Sequence, residues 1–485
     1  MKIKFPKKIS AFLAFIFIGC AVIFSILFLI VQQPILSAMY HREMLFPFDF
    51  LNGVIEGQRV HPISFYESVA VKIGLKLLAA WMGGYILILV FLGMPRETRI
   101  RSVLVLFSIG AMIIFSEFLM RWIYSKKPFY LWPPKMERTI SPDPEILPGV
   151  SGISRFRTNS WGIRGDEIPE DNQYRILTAG GSAVESATLD QDETWSYLLE
   201  EKLKKEGFPV WIGNVGKSGL SLRGLRILLR YLLPEIPRVD MVIMLIGVND
   251  LWLRLRDDME YEPMQIEPEE NIPIFLSAVF SEYPLVDRNI KGQLWSEQSG
   301  IIYGMTKLYA AGSAFLGHQD VWIEDIKELR QRRQDAIKIR EQLPDLSSSL
   351  REYRFNIERI IILLKQHNIT SVFLTHPVMW RGNLPPSLEA LLWAGNVGDI
   401  NLSKPGEYYS VETLAEGMRQ YNELLLKICE EQKLYCYDLA GQLSQDETAF
   451  FDDCHFNESG GRMVADMIGD YLLQEKPWSQ KREAK

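Results

Sequence analysis

Short apolar runs alternate with amphipathic stretches along the chain from about residue 173 onwards. Five runs have the length and the composition of buried strands: Arg175–Ala179, Val210–Ile212, Met241–Ile246, Ser371–Leu374 and Leu434–Tyr437. Five stretches have helical periodicity: Asp192–Glu206, Leu222–Leu233, Leu350–Gln366, Thr413–Glu431 and Glu458–Leu473. Strands that alternate with helices predict a parallel sheet covered on both faces. In such a sheet the ligand site lies beyond the carboxyl ends of the strands.

The part of the chain before this pattern contains three long apolar runs: Ser10–Val31, Leu77–Met94 and Ser102–Tyr124. Each is about long enough to cross a bilayer as a helix. Lysines 2, 4, 7 and 8 precede the first run, and a basic loop, Pro95–Arg101, separates the second from the third. Positive segments favour the cytoplasmic side of a membrane. Because the number of predicted spans is odd, the C-terminal part lies on the opposite side from the N-terminal lysines. We therefore expect a multi-pass protein of the cell inner membrane, with the C-terminal part on the extracytoplasmic (periplasmic) side and the lipid bilayer as a partner.

These patterns predict three regions. Residues 1–130 form a transmembrane region with about three helices, and residues 131–172 form a proline-containing linker and pre-domain segment. Residues 173–475 form the α/β domain, with an insertion at about 251–345. Glu117 and Arg121 stand four residues apart in the third apolar run, either as an intramembrane ion or substrate site or, as we favour, as a helical pair near the interface.

Charge and cysteine content exclude several classes of function. The net charge is −7, and no long Lys/Arg run follows the apolar region, so nucleic acid is not an expected partner. The four cysteines form no CxxC pair and no zinc-ligand spacing, so we do not expect a structural metal. A disulfide such as Cys436–Cys454 and three free thiols among Cys429, Cys436 and Cys454 are both compatible with the sequence.

Four polar segments follow the predicted strands. Gly180-Gly-Ser182 places a serine at a sharp turn that opens a helix, a position suited to a nucleophile, although such a sequence also makes ordinary turns. Gly219 and Asn249 follow the second and third strands and could donate a backbone N–H and a side-chain amide to a developing oxyanion. Each also has a plain structural interpretation, as a turn glycine and as an Asx turn.

The fourth segment, Asp452-Asp-Cys-His455, precedes the last helix. An aspartate three residues before a histidine can orient the imidazole, whose other nitrogen is then free to take a proton from a serine. The chain has six histidines, and among the others only His376, at the end of the fourth strand, is a serious rival for that role.

Together, in this order, the four segments resemble the blocks of the SGNH (GDSL-like) hydrolase family, in its membrane-anchored bacterial form. The resemblance covers roughly residues 155–475, including Arg157–Gly165, and departs from the family in reading Gly-Gly-Ser where Gly-Asp-Ser is usual. It implies a three-layer α/β/α sandwich with a five-stranded parallel sheet in flavodoxin-like order. It also implies a serine esterase with Ser182, Asp452 and His455 as catalytic residues. The implied oxyanion hole consists of Ser182, Gly219 and Asn249, and the implied reaction needs no metal and no cofactor.

The substrate is expected to be an ester, and the leading hypothesis is the O-acetyl group of an acylated carbohydrate. Alternatives are a lipid esterase or lysophospholipase, an O-acyltransferase, and a non-catalytic hydrolase-like scaffold of polysaccharide assembly. Aromatic residues after the third and fourth strands either bind sugar or acyl groups or, as we favour for any single one, pack the insertion onto the domain. They are Trp252, Tyr261, Trp295, Tyr303, Trp380, Trp393, Tyr408 and Tyr409.

Overall fold

The computed structural model describes residues 93–125, 128–170, 173–263, 276, 278–284, 299–301, 304, 321–398 and 406–479. The chain divides into two compact units, Met1–Phe115 and Ser116–Lys485. The first predicted span and nearly all of the second lie outside the described residues. The third is a helix, α1 (Arg96–Tyr124). Because α1 begins at Arg96, the prediction of a basic loop over Pro95–Arg101 is wrong: these charged residues form the first turns of the helix.

Within the described residues, α1 is the one helix long and apolar enough to cross a membrane, with a mean hydropathy of 2.3 over its most apolar stretch. Near its end, the Glu117 carboxylate accepts hydrogen bonds from Arg121 Nε at 2.7 Å, Ser299 Oγ at 2.9 Å, and the N–H groups of Gly300 at 3.0 Å and Ile301 at 3.1 Å. Glu117 therefore joins the helix to a segment of the insertion, which agrees with a structural role for the Glu117–Arg121 pair.

The pre-domain segment contains two short strands that the sequence patterns did not predict. Strands β1 (Glu137–Ile140) and β2 (Ser154–Arg157) pair antiparallel. After β2, the Asn159 side chain accepts hydrogen bonds from the N–H groups of Trp161 at 2.9 Å and Ile163 at 3.1 Å. This Asx-type turn directs the following residue, Arg164, into the interior, where it is 1% exposed.

The α/β domain follows the predicted alternation of strands and helices. Its elements in chain order are β3 (Tyr174–Gly180), α2 (Ser182–Glu185), α3 (Trp195–Lys205), β4 (Val210–Asn214), α4 (Leu222–Leu232), β5 (Met241–Leu245), α5 (Val248–Asp257), α6 (Val321–Gln334), β6 (Lys338–Arg340), α7 (Ser347–Gln366), β7 (Thr370–Leu374), α8 (Pro386–Glu389), β8 (Glu407–Tyr409), α9 (Val411–Gln432), β9 (Tyr435–Tyr437) and α10 (Glu458–Glu475). The predicted bounds differ from these by a few residues at most.

Five strands form one parallel sheet in the order β4-β3-β5-β7-β9. The predicted five-stranded parallel sheet is therefore confirmed, and its order is flavodoxin-like. Every residue of the central strand β5 is buried, so the sheet needs apolar cover on both faces. Two groups of helices supply it: α3 packs against α10, and α7 packs against α4 and α9.

The insertion contributes ordered elements to this domain. Strand β6 pairs in parallel with β8, which lies in the stretch after β7. Helix α6 contributes Ile326, which is fully buried in a second apolar cluster. That cluster joins the insertion to the pre-domain segment, through Leu147, and to the loop before α10, through Phe451. The insertion is thus packed onto the domain close to the predicted site.

The disulfide pairing differs from the suggested one. Cys429, near the end of α9, is bonded to Cys436 in β9, and their Cα atoms lie 6.2 Å apart. The turn between α9 and β9 brings these two cysteines together. Cys454 is a free and buried thiol, so the pairing Cys436–Cys454 is wrong.

Candidate active site

Ser182 lies where the sequence placed it, directly after the carboxyl end of β3 and at the first position of α2. The turn requires Gly180, whose φ is +157° and whose position leaves no room for a side chain. A β-carbon there would lie 2.3 Å from the Leu245 carbonyl oxygen. The strand therefore turns sharply and presents the Ser182 hydroxyl at the edge of the sheet.

A continuous chain of hydrogen bonds joins Ser182 to the loop before α10. Ser182 Oγ lies 2.7 Å from Nε2 of His455. On the other side of the ring, His455 Nδ1 lies 2.8 Å from Oδ1 and 2.7 Å from Oδ2 of Asp452. Ser182 and His455 are 273 residues apart in the chain. The structure nevertheless brings the three predicted side chains together, at the distances that proton transfer requires.

The protonation properties of the pair follow from burial and proximity. Burial alone would raise the pKa of Asp452, but the nearby His455 and the donors around the carboxylate outweigh burial and hold that pKa below its usual range. Burial alone would lower the pKa of His455, but Asp452 outweighs it and keeps the pKa of the imidazole above its usual value. The aspartate is thus ionised and the histidine is a strengthened base.

The two other predicted donors flank Ser182. Asn249 lies at the start of α5, and its Nδ2 atom donates to the Leu220 carbonyl at 3.1 Å. Gly219 directly precedes Leu220, in an exposed turn, and has a φ of +73°. No hydrogen-bond acceptor within the described residues occupies the Gly219 N–H. The amide of Asn249 and the Gly219 turn therefore lie beside each other at the carboxyl edge of the sheet.

His376, the rival histidine, takes no part in this arrangement. Its Nδ1 lies 3.0 Å from the Pro377 carbonyl oxygen, and its backbone is bonded to the side chain of Asn422. Burial lowers the pKa of His376 to about 4, so the ring stays neutral. Its role is to hold the end of β7.

A buried hydrogen-bond network behind Ser182, around Arg164 and Glu185, was not predicted. Glu185 is the last residue of α2, and it accepts hydrogen bonds from the N–H and the hydroxyl of Ser218, the neighbour of Gly219. Arg164 donates to the carbonyls of Glu185, Ser186 and Leu189. These contacts fix the loop after Ser182 and the Gly219 turn against each other. The signal was present, since Arg164 belongs to the segment 157–165 that the resemblance singled out.

The aromatic residues after the third and fourth strands mostly pack, as favoured. Trp380, Tyr408 and Tyr409 are buried, and Trp252 packs against Trp393 in a tilted arrangement, with ring centroids 4.6 Å apart. Trp295 and Tyr303 lie outside the described residues. Trp393 differs from the others because its indole Nε1 donates to Asp452 Oδ2 at 2.9 Å.

A small pocket opens between Ser182 and His455. Small side chains and two aromatic rings line it: Ala183, Ser186, Ala187, Thr188, Ser218, Phe451 and Phe456. Within the described residues, one group of side chains could chelate a metal, Asp452, Cys454 and His455. Both ring nitrogens of His455 are already engaged by Asp452 and Ser182, and burial raises the pKa of the Cys454 thiol, so this group suits acid–base chemistry better than metal binding.

Residues 177–463 match the model of the GDSL-like Lipase/Acylhydrolase family, and this match spans more than half of the chain. The chain belongs to this family. It is accordingly an ester hydrolase that acts on acyl groups. The predicted membership of the SGNH (GDSL-like) family is confirmed, whereas its membrane-anchored bacterial form stays a prediction.

Several solved structures of low sequence identity are similar to this chain. Axe2, an acetylxylan esterase from Geobacillus stearothermophilus, is 13% identical, with a TM-score of 0.31 over 64% of this chain and 97% of its own. A carbohydrate acetylesterase family member from Sinorhizobium meliloti is 11% identical, with a TM-score of 0.32 over 62% and 98%. The psychrotrophic esterase EstA from Pseudoalteromonas sp. is 12% identical, with a TM-score of 0.30 over 63% and 99%. No curated protein sequence matches the chain.

Proposed function

We propose that this chain is a membrane-anchored serine esterase that removes O-acetyl groups from an extracytoplasmic glycan. Ser182 is the nucleophile, His455 the general base and Asp452 the partner of His455. The observation that carries the proposal is the unbroken hydrogen-bond chain from Ser182 Oγ through His455 to Asp452, at 2.7 Å on each side of the imidazole.

The reaction proceeds in two steps. Ser182 Oγ attacks the ester carbonyl carbon while His455 Nε2 takes the hydroxyl proton, and the ester C–O bond then breaks as His455 returns that proton to the leaving alcohol. Water attacks the resulting acyl-serine and gives a proton to His455. The bond between the acyl carbon and Ser182 Oγ then breaks as His455 returns that proton to Oγ, which releases the acid and restores the serine. The negative oxygen of each tetrahedral intermediate is held by the N–H groups of Ser182 and Gly219 and by the Asn249 amide.

The pocket beside Ser182 supports a short acyl group. Ala183, Ala187 and Thr188 are small, but Phe451 and Phe456 close the space around them. Both phenylalanine rings are buried and cannot move aside without leaving the core. An acetyl group suits such a space, whereas a long acyl chain would need to lie outside it.

The membrane location rests on two observations. Helix α1 exposes large apolar side chains such as Phe107 and Phe118, at 74% and 69%, as a lipid-facing helix does. The Cys429–Cys436 disulfide is typical of an oxidising compartment and so supports a periplasmic position for the hydrolase domain. After mild reduction, thiol-reactive reagents that do not cross the inner membrane should reach Cys436, which is half-buried, in intact spheroplasts. Labelling of Cys436 only after the membrane is permeabilised would contradict this placement.

The test of function uses the full chain in detergent, as wild type and as Ser182→Ala. Substrates are p-nitrophenyl acetate, p-nitrophenyl palmitate, acetylated xylan and acetylated peptidoglycan. We expect acetate release from the acetyl esters, abolished in Ser182→Ala, and refusal of the palmitate. Ser444→Ala, in a surface turn, is the matched serine control and should retain the wild-type rate.

Preference for palmitate would contradict the glycan proposal and favour a lipid esterase. Turnover that depends on an added sugar acceptor would indicate an O-acyltransferase. Failure to hydrolyse any of the four esters would contradict the esterase proposal and favour the scaffold.

A further inference from the structure

The Asp452 carboxylate is surrounded by hydrogen-bond donors. Oδ1 accepts from the N–H groups of Cys454 at 3.1 Å and His455 at 3.0 Å. Oδ2 accepts from the indole Nε1 of Trp393 at 2.9 Å. Asp452 itself is fully buried, so water cannot replace a donor that is lost. Trp393 is the one donor among these that comes from outside the Asp452–His455 loop.

Trp393 is in turn held from several directions. The N–H groups of Trp393 and Ala394 donate to Asp453 Oδ2 at 2.8 and 3.1 Å. Arg333, from the insertion helix α6, donates to the Ala394 carbonyl at 2.6 Å. The Trp393 ring packs on Trp252, and only 7% of Trp393 is exposed. The indole is therefore fixed before any substrate binds, by contacts that the insertion and the stretch after β7 provide.

We infer that Trp393 is a positioning residue of the active site, which holds the Asp452 carboxylate in the plane that meets His455 Nδ1. This inference rests on the proposed roles of Ser182, His455 and Asp452. A carboxylate with donors on one oxygen alone can rotate about its Cβ–Cγ bond. A donor on each oxygen, with the imidazole between them, leaves a single orientation.

A neutral indole is well suited to this role, because its loss changes no charge near the imidazole. The charged or titratable groups that face the pair are Asp453 and Cys454 on the same loop, Arg330 and Arg333 on α6, Glu185 on α2, and His376 after β7. All of them remain after replacement of Trp393 by phenylalanine. A change in the basicity of His455 in that variant therefore reports the lost hydrogen bond.

The structure also provides a matched control. Trp380 donates its indole Nε1 to Asp453 Oδ1 at 2.7 Å, so it makes the same kind of bond to the neighbouring carboxylate. Trp380 is buried to a similar degree, at 3% exposed. Trp380→Phe and Trp393→Phe thus remove the same kind of hydrogen bond from two adjacent aspartates. Only Trp393→Phe removes it from Asp452, the partner of His455.

The experiment measures covalent labelling of Ser182 by a fluorophosphonate in the full-length protein, as a function of pH. Labelling needs an activated serine but no knowledge of the natural ester. We expect Trp393→Phe to lower the maximal labelling rate about tenfold, since the carboxylate is no longer fixed. The midpoint of the acid limb should rise by about half a pH unit, because a carboxylate that loses a donor stabilises the imidazolium better.

Trp380→Phe should leave the midpoint at its wild-type value. If the Trp393→Phe midpoint coincides with that of the wild type and of Trp380→Phe, the inference is overturned and Trp393 merely fills space. A wild type that is not labelled at Ser182 would overturn both the inference and the proposed function. A wild type that is labelled but hydrolyses none of the four esters would contradict the proposed function alone, and the midpoints would still decide the role of Trp393.

Discussion

The side-chain amide of Asn249 lies directly against Gly181: a β-carbon at residue 181 would be 2.1 Å from Asn249 Nδ2. Gly181 directly precedes Ser182, so the amide is placed beside the nucleophile. With Asn249 in this position, residue 181 has no room for a side chain.

Gly181→Ala should therefore act through Asn249. The new methyl group pushes the amide away from the oxyanion position, and loss of such a donor typically lowers kcat by about two to three orders of magnitude. Asn249→Ala should have a similar effect. In the double variant the two losses should not multiply, because both remove the same donor. Measurement of kcat for p-nitrophenyl acetate in the wild type, the two single variants and the double variant completes this double-mutant cycle.

Gly382→Ala is the control for this cycle, because a β-carbon at residue 382 meets no atom within 4 Å. It should retain the wild-type kcat. Losses in Gly181→Ala and Asn249→Ala that multiply in the double variant would show that the two residues act separately.

The pH dependence of the reaction should reflect the Asp452–His455 pair. His455 works as a base only when neutral, and Asp452 holds the pKa of His455 above its ordinary value of 6.5. We therefore expect kcat/KM to rise with pH along an acid limb centred above 6.5. Asp452→Asn removes the negative charge, so the limb should move to lower pH while kcat falls by about four orders of magnitude. An acid limb that moves upwards in Asp452→Asn would contradict the assigned pairing.

Much of the fold could be predicted because local patterns determine it. The central strand β5 has an apolar sequence that suits burial on both faces. Gly180-Gly-Ser182 stands at the end of the buried strand β3, and Asp452–His455 stands just before the helical pattern of α10. The carboxyl ends of parallel strands share one edge of the sheet, so topology alone brings distant segments together. This is why five residues named from sequence lie in one region of the structure.

The residues around that site were not predictable in the same way. Trp393 reaches Asp452 across 59 residues, and Arg330 donates to the Phe451 carbonyl across 121. Both depend on how the insertion packs, which no local periodicity encodes. The disulfide depends on a turn instead: the geometry between α9 and β9 brings Cys436 to Cys429, whereas spacing in the sequence left Cys454 as an equal candidate.

Arg164 should contribute strongly to stability. Its guanidinium is buried and donates to Gln191 at 3.1 Å and to the Ser186 and Leu189 carbonyls at 2.8 Å each. Burial lowers the pKa of Arg164 to about 10, but the group stays charged at neutral pH. Arg164→Met removes several buried hydrogen bonds at once, so we expect a loss of about 3 kcal/mol or more in the free energy of unfolding.

Urea denaturation of the full chain, followed by tryptophan fluorescence, measures this loss. The matched control is Arg155→Met, since Arg155 pairs with Asp190 at 2.8 Å but half of its side chain is exposed. An exposed pair contributes about 1 kcal/mol at most. Equal losses in the two variants would contradict a structural role for the buried guanidinium.

The disulfide should stabilise the fold without serving the reaction. Cys429 and Cys436 are separated by seven positions, and closing a loop of that size in the unfolded chain contributes about 2 kcal/mol. The paired variant Cys429→Ser/Cys436→Ser should therefore lose about that much free energy of unfolding, and it should unfold at a lower urea concentration than the wild type. Its kcat for p-nitrophenyl acetate should equal that of the wild type, because neither sulfur contacts Ser182, Asp452 or His455.

Cys454 provides the internal check: it is buried, and burial raises the pKa of its thiol, so it should react with a thiol reagent only after unfolding. Rapid labelling of Cys454 in the folded variant would mean that the disulfide also keeps the Asp452–His455 loop closed, and kcat would then fall together with stability.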